Sequence, residues 1–354
     1  MIAHHARAGP GMENDFSMTS QLMPLLGGVG LFLIGLAVMT DGLRGLAGEA
    51  LNRQLARLTR SPLTGAATGA LSTAVLQSSS ATTVAAVGFV GAGLLTFPQA
   101  LGVIFGANLG TTVTGWMVAL LGFKLKIASL VFPLVFAGAL LRIFGRGRAR
   151  HAGLALAGFA LLFQGIAVLQ SAMAGFEGVV TPRDFPGDDL PGRLQLIAIG
   201  IAITLVTQSS SAGVATALAA VSVGTITFPQ AAALVIGMDV GTTVTAAVAT
   251  LGGSADTRRT GYSHVVYNLL TGVGALALLD VYTGALDALA PGLPVREAEL
   301  ALVGFHTLFN FLGVVLVIPV AGRFAGLMYR LVPRPVDALI DRLDRRLLED
   351  PGIA

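Results

Sequence analysis

The chain has 354 residues, of which 54% are hydrophobic and only 12% charged, with a mean hydropathy of +0.79. Water-soluble domains carry about twice that charged fraction, so an integral membrane protein is expected, and nothing calls for a nucleic-acid partner. Without cysteine, neither a disulfide framework nor a thiolate metal site can form, and the net charge of +3 matters less than where the charges lie.

No cleavable signal peptide stands out, and residues 1–21 read as a polar, disordered leader. Residues 22–39 form the first run long enough to span. Residues 41–62 follow as an interfacial, partly helical segment carrying Arg44, Arg53, Arg57 and Arg60 against Asp41 and Glu49. Residues 63–96 are apolar but cut in the middle by Gln77-Ser78-Ser79-Ser80. Each half has roughly 14–16 residues, short of the ~20 that cross comfortably, so a re-entrant hairpin is predicted. Phe97-Pro98-Gln99 marks its return, because proline tends to open a helix.

Residues 99–121 could span but are predicted to break at Gly106-Ala107-Asn108-Leu109-Gly110-Thr111-Thr112. Residues 126–141 span next, followed by a basic turn with Arg142, Arg146, Arg148 and Arg150. Residues 154–171 span, and 177–193 form an acidic loop. A second hairpin is predicted over 194–227 and a second broken helix over 230–251. Residues 262–279 and 300–320 span, and 323–354 form a charged surface tail. The chain therefore divides into a first repeat (22–145), a second repeat (146–282), an external loop with the last span (283–322) and the tail.

The division into repeats rests on residues. Gln77-Ser78-Ser79-Ser80-Ala81 returns as Gln208-Ser209-Ser210-Ser211-Ala212, an offset of 131 positions. At the same offset Phe97-Pro98-Gln99 returns as Phe228-Pro229-Gln230, and Gly106 to Thr114 as Gly237 to Thr245. Three landmarks in one register indicate an internal duplication. Placing 41–62 in the cytoplasm puts the Arg142–Arg150 turn, Arg258, Arg259 and the tail there too, and the two acidic loops, 177–193 and 280–299, outside. Lys124 and Lys126 are the weak violation. The N-terminus is then outside and the C-terminus cytoplasmic. Each repeat holds three full spans, an odd number, so the second is inverted relative to the first, as in secondary transporters.

Irregular backbone survives in hydrocarbon only where it lines a polar cavity. Tips and broken helices meeting at the midplane would make a hydroxyl-rich basket in which Asp239 is the one formal charge. Helix N-termini and Ser/Thr hydroxyls can hold an anion. Hydroxyls, amide oxygens, Asp239 and opened carbonyls can hold Na⁺, and the two ions would stabilise each other at low dielectric. Ser and Thr also serve as plain interhelical glue, but two mirrored tips favour a site. His264 with Asn268 and His306 with Asn310, each four apart on one helical face, read as interhelical hydrogen-bonding pairs.

The doubled Gln-Ser-Ser-Ser, the Gly-Ala-Asn-Leu-Gly-Thr-Thr stretch and the late His-x-x-Phe-Asn helix resemble the type II sodium/phosphate cotransporters and their bacterial relatives, over about residues 22–322. The resemblance implies an all-α, inverted-repeat membrane transporter in the inner cell membrane. It further implies that no cofactor is needed, that sodium is the coupling ion and that inorganic phosphate is the substrate. The oligomeric state is left open. It implies phosphate contacts at Gln77, Ser78, Ser79, Ser80, Gln208, Ser209, Ser210 and Ser211. Sodium would be served by Thr82, Thr83, Asn108, Thr111, Thr112, Asp239, Thr242 and Thr243. This chain departs from the family pattern at Asp239, where Asn is usual, and at Gly213-Val214, where the first copy has Thr82-Thr83. The acidic residue that some electrogenic members carry has no evident counterpart. Many bacterial relatives carry a soluble helical domain after the membrane part, and this chain leaves no room for one. The alternatives are transport of another small oxyanion, phosphate export, a channel, or an intramembrane serine hydrolase pairing Ser79 or Ser210 with His264 or His306.

Overall fold

A computed structural model describes residues 10–125 and 127–334, and among these every regular element is helical. Helix α1 runs without interruption over Pro10–Leu58. It absorbs both the second half of the expected leader, 10–21, and the segment expected at the interface. Proline is well tolerated at the first helical position, and beyond it, as far as Leu58, Pro24 alone lacks the amide that a helix needs. Helices α2 (Pro62–Leu76) and α3 (Ser79–Gly91) form the first helical pair, and α7 (Leu190–Thr207) and α8 (Ser210–Ser222) the second. Each pair is followed by a helix opened by Phe-Pro-Gln, α4 (Phe97–Met117) and α9 (Phe228–Gly241). Thr96 and Thr227 cap these helices by sharing a reciprocal bond with Gln99 and Gln230.

Helix α4 does not break at Gly106–Thr112. It continues to Met117 and then loosens into a π-helical stretch over Val118–Lys124. In the second half a single turn residue, Thr242, separates α9 from α10 (Thr243–Val248). The glycines serve packing instead of breakage. A Cβ at Gly106 would overlap the Ala66 carbonyl of α2, and one at Gly237 the Ile197 carbonyl of α7. Gly69 against Val103 and Gly200 against Leu234 repeat the relation at the same offset of 131. The backbones of α2 and α4, and of α7 and α9, therefore approach closely, as small residues in membrane helices permit.

The remaining helices are α5 (Val131–Phe144), α6 (Arg148–Ala174), α11 (Ala255–Leu289), α12 (Leu293–Arg296), α13 (Ala298–Val317) and the amphipathic α14 (Ala321–Leu331). Helix α1 packs along α6 through Gly35 and Gly42 on one side and Gly158 and Gly165 on the other. The main apolar core lies among α6, α8, α9 and α13, with Phe163, Ile166, Leu218, Val235 and Phe305 at its centre.

Seven helical stretches are long and apolar enough to cross a membrane: Leu22–Ala47, Phe97–Lys124, Arg148–Ala174, Leu190–Thr207, Phe228–Val248, Ala255–Leu289 and Ala298–Leu331. They mark the chain as a multi-pass integral membrane protein. The set differs from the expected one at two places. Helix α5, with 14 residues, reaches only about 21 Å, whereas α7, expected as half a hairpin, has 18. Polar contacts pin the helix ends. Arg193 at the start of α7 bonds Asp188 at 2.7 Å and Asp280 of α11 at 2.5 Å. Arg259 of α11 bonds Asp256 and stacks on Tyr329 of α14, and Asp256 also takes Arg334. The remainder of the expected tail, 335–354, lies outside the described residues, as do 1–9.

Candidate functional site

The two tips are built alike. Gln77 and Gln208 end α2 and α7 with φ of 54° and 53°, the non-glycine residues with positive φ among those described. That backbone costs roughly 1–2 kcal/mol, and each glutamine offsets it with both ends of its amide. Gln77 Nε2 donates to the Ala74 carbonyl at 2.5 Å, and its Oε1 accepts from Thr114 Oγ1 at 2.8 Å. Gln208 Nε2 donates to the Leu205 carbonyl at 2.7 Å, and its Oε1 accepts from Thr245 Oγ1 at 3.0 Å. The following serine caps the next helix: Ser78 Oγ accepts from the Ala81 amide and Ser209 Oγ from the Ala212 amide, both at 3.2 Å.

Four hydroxyls are left uncommitted. Those of Ser79, Ser80, Ser210 and Ser211 make no hydrogen bond among the described residues. They stand on the first turns of α3 and α8, where backbone amides lack helical partners and the helix dipole is positive. Both tips open on one cavity of about 300 Å³, lined by Gln77 to Ser80, Thr207 to Ser211 and Thr242. The eight residues expected to contact the anion are thus brought together.

The third wall was missed by sequence reasoning. It is one face of α1, formed by Leu33, Leu36, Ala37, Thr40, Asp41 and Arg44. Their spacing of three and four is the helical stripe. The apolar run stops at Met39, and the charges beyond it look like a membrane boundary when only hydropathy is read. The cavity's formal charges are therefore Asp41 and Arg44, in place of the expected Asp239.

Of the residues expected to serve sodium, Thr242 alone lines the cavity. The hydroxyls of Thr82, Thr83, Thr111 and Thr112 bond back to carbonyls one turn earlier in the chain, and those of Thr242 and Thr243 to the Met238 and Val240 carbonyls of α9. Asn108 and Asp239 are held in buried clamps. Asn108 Oδ1 faces His264 Nε2 at 2.9 Å, while its Nδ2 donates to Asn268 Oδ1. Asp239 Oδ1 faces His306 Nε2 at 3.1 Å, and Oδ2 accepts from Asn310 Nδ2 at 2.8 Å. Asn268 joins the two clamps by donating to the Asp239 carbonyl at 2.7 Å. The His and Asn pairs therefore make the interhelical bonds that their spacing suggested. The Gly213 departure also has a packing reason. Met238 stands where the first half has Ala107, and a Cβ at Gly213 would crowd its sulfur.

Comparison with known proteins adds to this geometry. The model of the Na+/Pi-cotransporter family matches residues 31–171 and 191–315, three quarters of the chain in two blocks that each contain one tip. The chain belongs to the Na+/Pi-cotransporter family. Within the Na+/Pi-cotransporter match, the uncharacterized protein YqeW of Bacillus subtilis is 28% identical over 85% of this chain and 95% of its own length. The putative inorganic phosphate export protein YjbB of Salmonella typhimurium is 29% identical over 88% of this chain, which spans 55% of that relative. Human sodium-dependent phosphate transport protein 2B is 32% identical over 30% of this chain and 16% of its own. No solved structure matches.

Proposed function

We propose that this protein is a secondary transporter that moves inorganic phosphate across the cell membrane coupled to sodium. The observation that carries the reading is the pairing of the two tips. Four unbonded hydroxyls and the first turns of two helices converge on one cavity. Such donors suit a tetrahedral oxyanion, whose oxygens accept hydrogen bonds from several directions. Membership of a Na+/Pi-cotransporter family supports phosphate as the substrate.

Sodium would enter beside Thr242, where a hydroxyl and the turn between α9 and α10 offer oxygens. Asp239 stands one turn before Thr242 and supplies negative charge behind it, with Asn108, Thr82, Thr83, Thr111, Thr112 and Thr243 shaping the same helices. The matched glycine seams of α2 with α4 and of α7 with α9 support two repeats of one design. In this reading the repeats are inverted, the tips re-entrant, the N-terminus external and the C-terminus cytoplasmic in the inner membrane. The positions of the two histidines weigh against the hydrolase reading. His264 and His306 present Nε2 to Asn108 and Asp239, and among the described residues no serine hydroxyl bonds either ring.

The test is flux of radiolabelled phosphate in proteoliposomes, with and without a sodium gradient and with sulfate as competitor. Sodium-driven phosphate entry is expected. Flux that ignores sodium would remove the coupling, and sulfate transport in preference to phosphate would reassign the substrate. The name of the Salmonella relative favours export, so preloaded vesicles are measured in the same series. Cysteines introduced at positions 146, 188, 258 and 287 test the orientation, since the chain has no native cysteine. Positions 146 and 258 are expected to label from one side and 188 and 287 from the other. Labelling of 146 and 188 from the same side would overturn the inverted arrangement.

A further inference from the structure

We infer that Arg44 is the residue that supplies the positive charge to the bound oxyanion, and that it sets the affinity for it. The inference rests on the proposed transport of phosphate. Arg44 lies on α1, outside both repeated motifs, on the wall facing the two tips. Among the described residues its guanidinium has no ion-pair or hydrogen-bond partner, although Asp41 stands one turn before it. Both residues fall within the last two turns of the Leu22–Ala47 membrane stretch, where an unpaired charge is costly and marks a pathway or site.

The rest of the cavity lining is uncharged. The two helix N-termini supply only partial positive charge, about half a unit each, and the hydroxyls none, so much of the charge of a dianionic phosphate would remain uncompensated. A guanidinium remains charged at any working pH and presents a planar fork of donors that matches two oxygens of a phosphate. With Asp41 also present the empty cavity is neutral. The anion then brings net negative charge, which one sodium ion balances for a monoanion and two for a dianion. Recognition by Arg44 and sodium coupling thus follow from one charge count.

Arg44 is solvent-exposed in the open cavity, so its replacement does not disturb packing. Phosphate uptake is measured in proteoliposomes, together with the phosphate-induced rise in unfolding temperature of the detergent-solubilised protein. Arg44→Gln is expected to raise KM for phosphate about ten- to hundredfold with kcat far less affected, and to abolish the thermal shift. Arg44→Lys is expected to fall between Arg44→Gln and wild type, because it keeps the charge and loses the fork. Arg142→Gln, at the end of α5 and away from the cavity, serves as the control with unchanged KM. Arg44→Cys then gives a charge-rescue experiment in this cysteine-free chain. A cationic aminoethyl thiosulfonate should lower KM and an anionic sulfonatoethyl reagent should raise it. Unchanged KM and thermal shift in Arg44→Gln, or equal effects of the two reagents, overturn the inference and leave phosphate transport standing. Wild type that neither carries phosphate nor shifts with it overturns both.

Discussion

The two buried clamps hold residues at equivalent positions of the duplication, Asn108 and Asp239, yet differ in chemistry. In the first, the Asn108 amide accepts from His264 and donates to Asn268. In the second, the Asp239 carboxylate can only accept, so His306 Nε2 and Asn310 Nδ2 must both donate. The partner amide turns accordingly: Asn268 offers its oxygen to Asn108, whereas Asn310 offers its nitrogen to Asp239. One scaffold position thus tolerates amide or acid, provided the neighbouring asparagine reverses its role. The price is visible nearby, since Asn310 Oδ1 and the Nδ1 atoms of His264 and His306 are buried without partners.

The sharpest way to break this comparison is to remove each histidine. His306→Ala leaves one oxygen of a buried carboxylate unpaired and is expected to cost about 3–5 kcal/mol. His264→Ala strands only an amide oxygen and is expected to cost about 1–3 kcal/mol. Thermal unfolding of the detergent-solubilised variants measures both, and equal losses would mean that the charge difference between the clamps has no energetic weight.

The tips give a smaller and more symmetric contrast. Ser79→Ala and Ser210→Ala each remove one unbonded hydroxyl from the cavity, so KM for phosphate should rise roughly tenfold in either, with folded protein retained. A change at one tip alone would show that the anion is held mainly by that tip, and full transport in both would make the tips packing devices.

Asp239→Asn sharpens the comparison by making the second clamp a copy of the first. Asn310 can then turn its amide to accept, so a stability change below about 1.5 kcal/mol is expected. The sodium dependence of transport should weaken while phosphate still binds. Sodium activation curves for wild type and variant at about pH 6 and pH 8 decide the point. Identical curves at both values would leave Asp239 with a purely structural role.

The smallest effects are expected at the threonines that brace the tips. Thr114 is buried and its bond to Gln77 is shielded, whereas Gln208, held by Thr245, is exposed. Thr114→Val should cost about 1 kcal/mol and Thr245→Val less, because water replaces a lost bond at an exposed site. Chemical denaturation in mixed micelles reads the difference, and a larger loss for Thr245→Val would reverse this ranking of the two tips.

The sequence by itself determined the membrane class, the duplication and the eight tip residues that come to line one cavity. Hydropathy is summed along the chain, and Gln-Ser-Ser-Ser repeats in register, so both are local signals. The pairing of His264 with Asn268 and of His306 with Asn310 was legible for the same reason, as a spacing on one helical face. Only the tertiary structure decided what the glycines do. Gly106 and Gly237 look like helix breakers in a linear reading, but they are the places where α4 and α9 press against the carbonyls of α2 and α7. It also decided which threonines reach the cavity, because a hydroxyl that bonds its own helix is indistinguishable in sequence from one that faces a ligand. Asp41 and Arg44 illustrate the limit best. Their charge ends an apolar run and reads as a boundary, and only the packing of α1 across the two tips turns that boundary into the wall of the site.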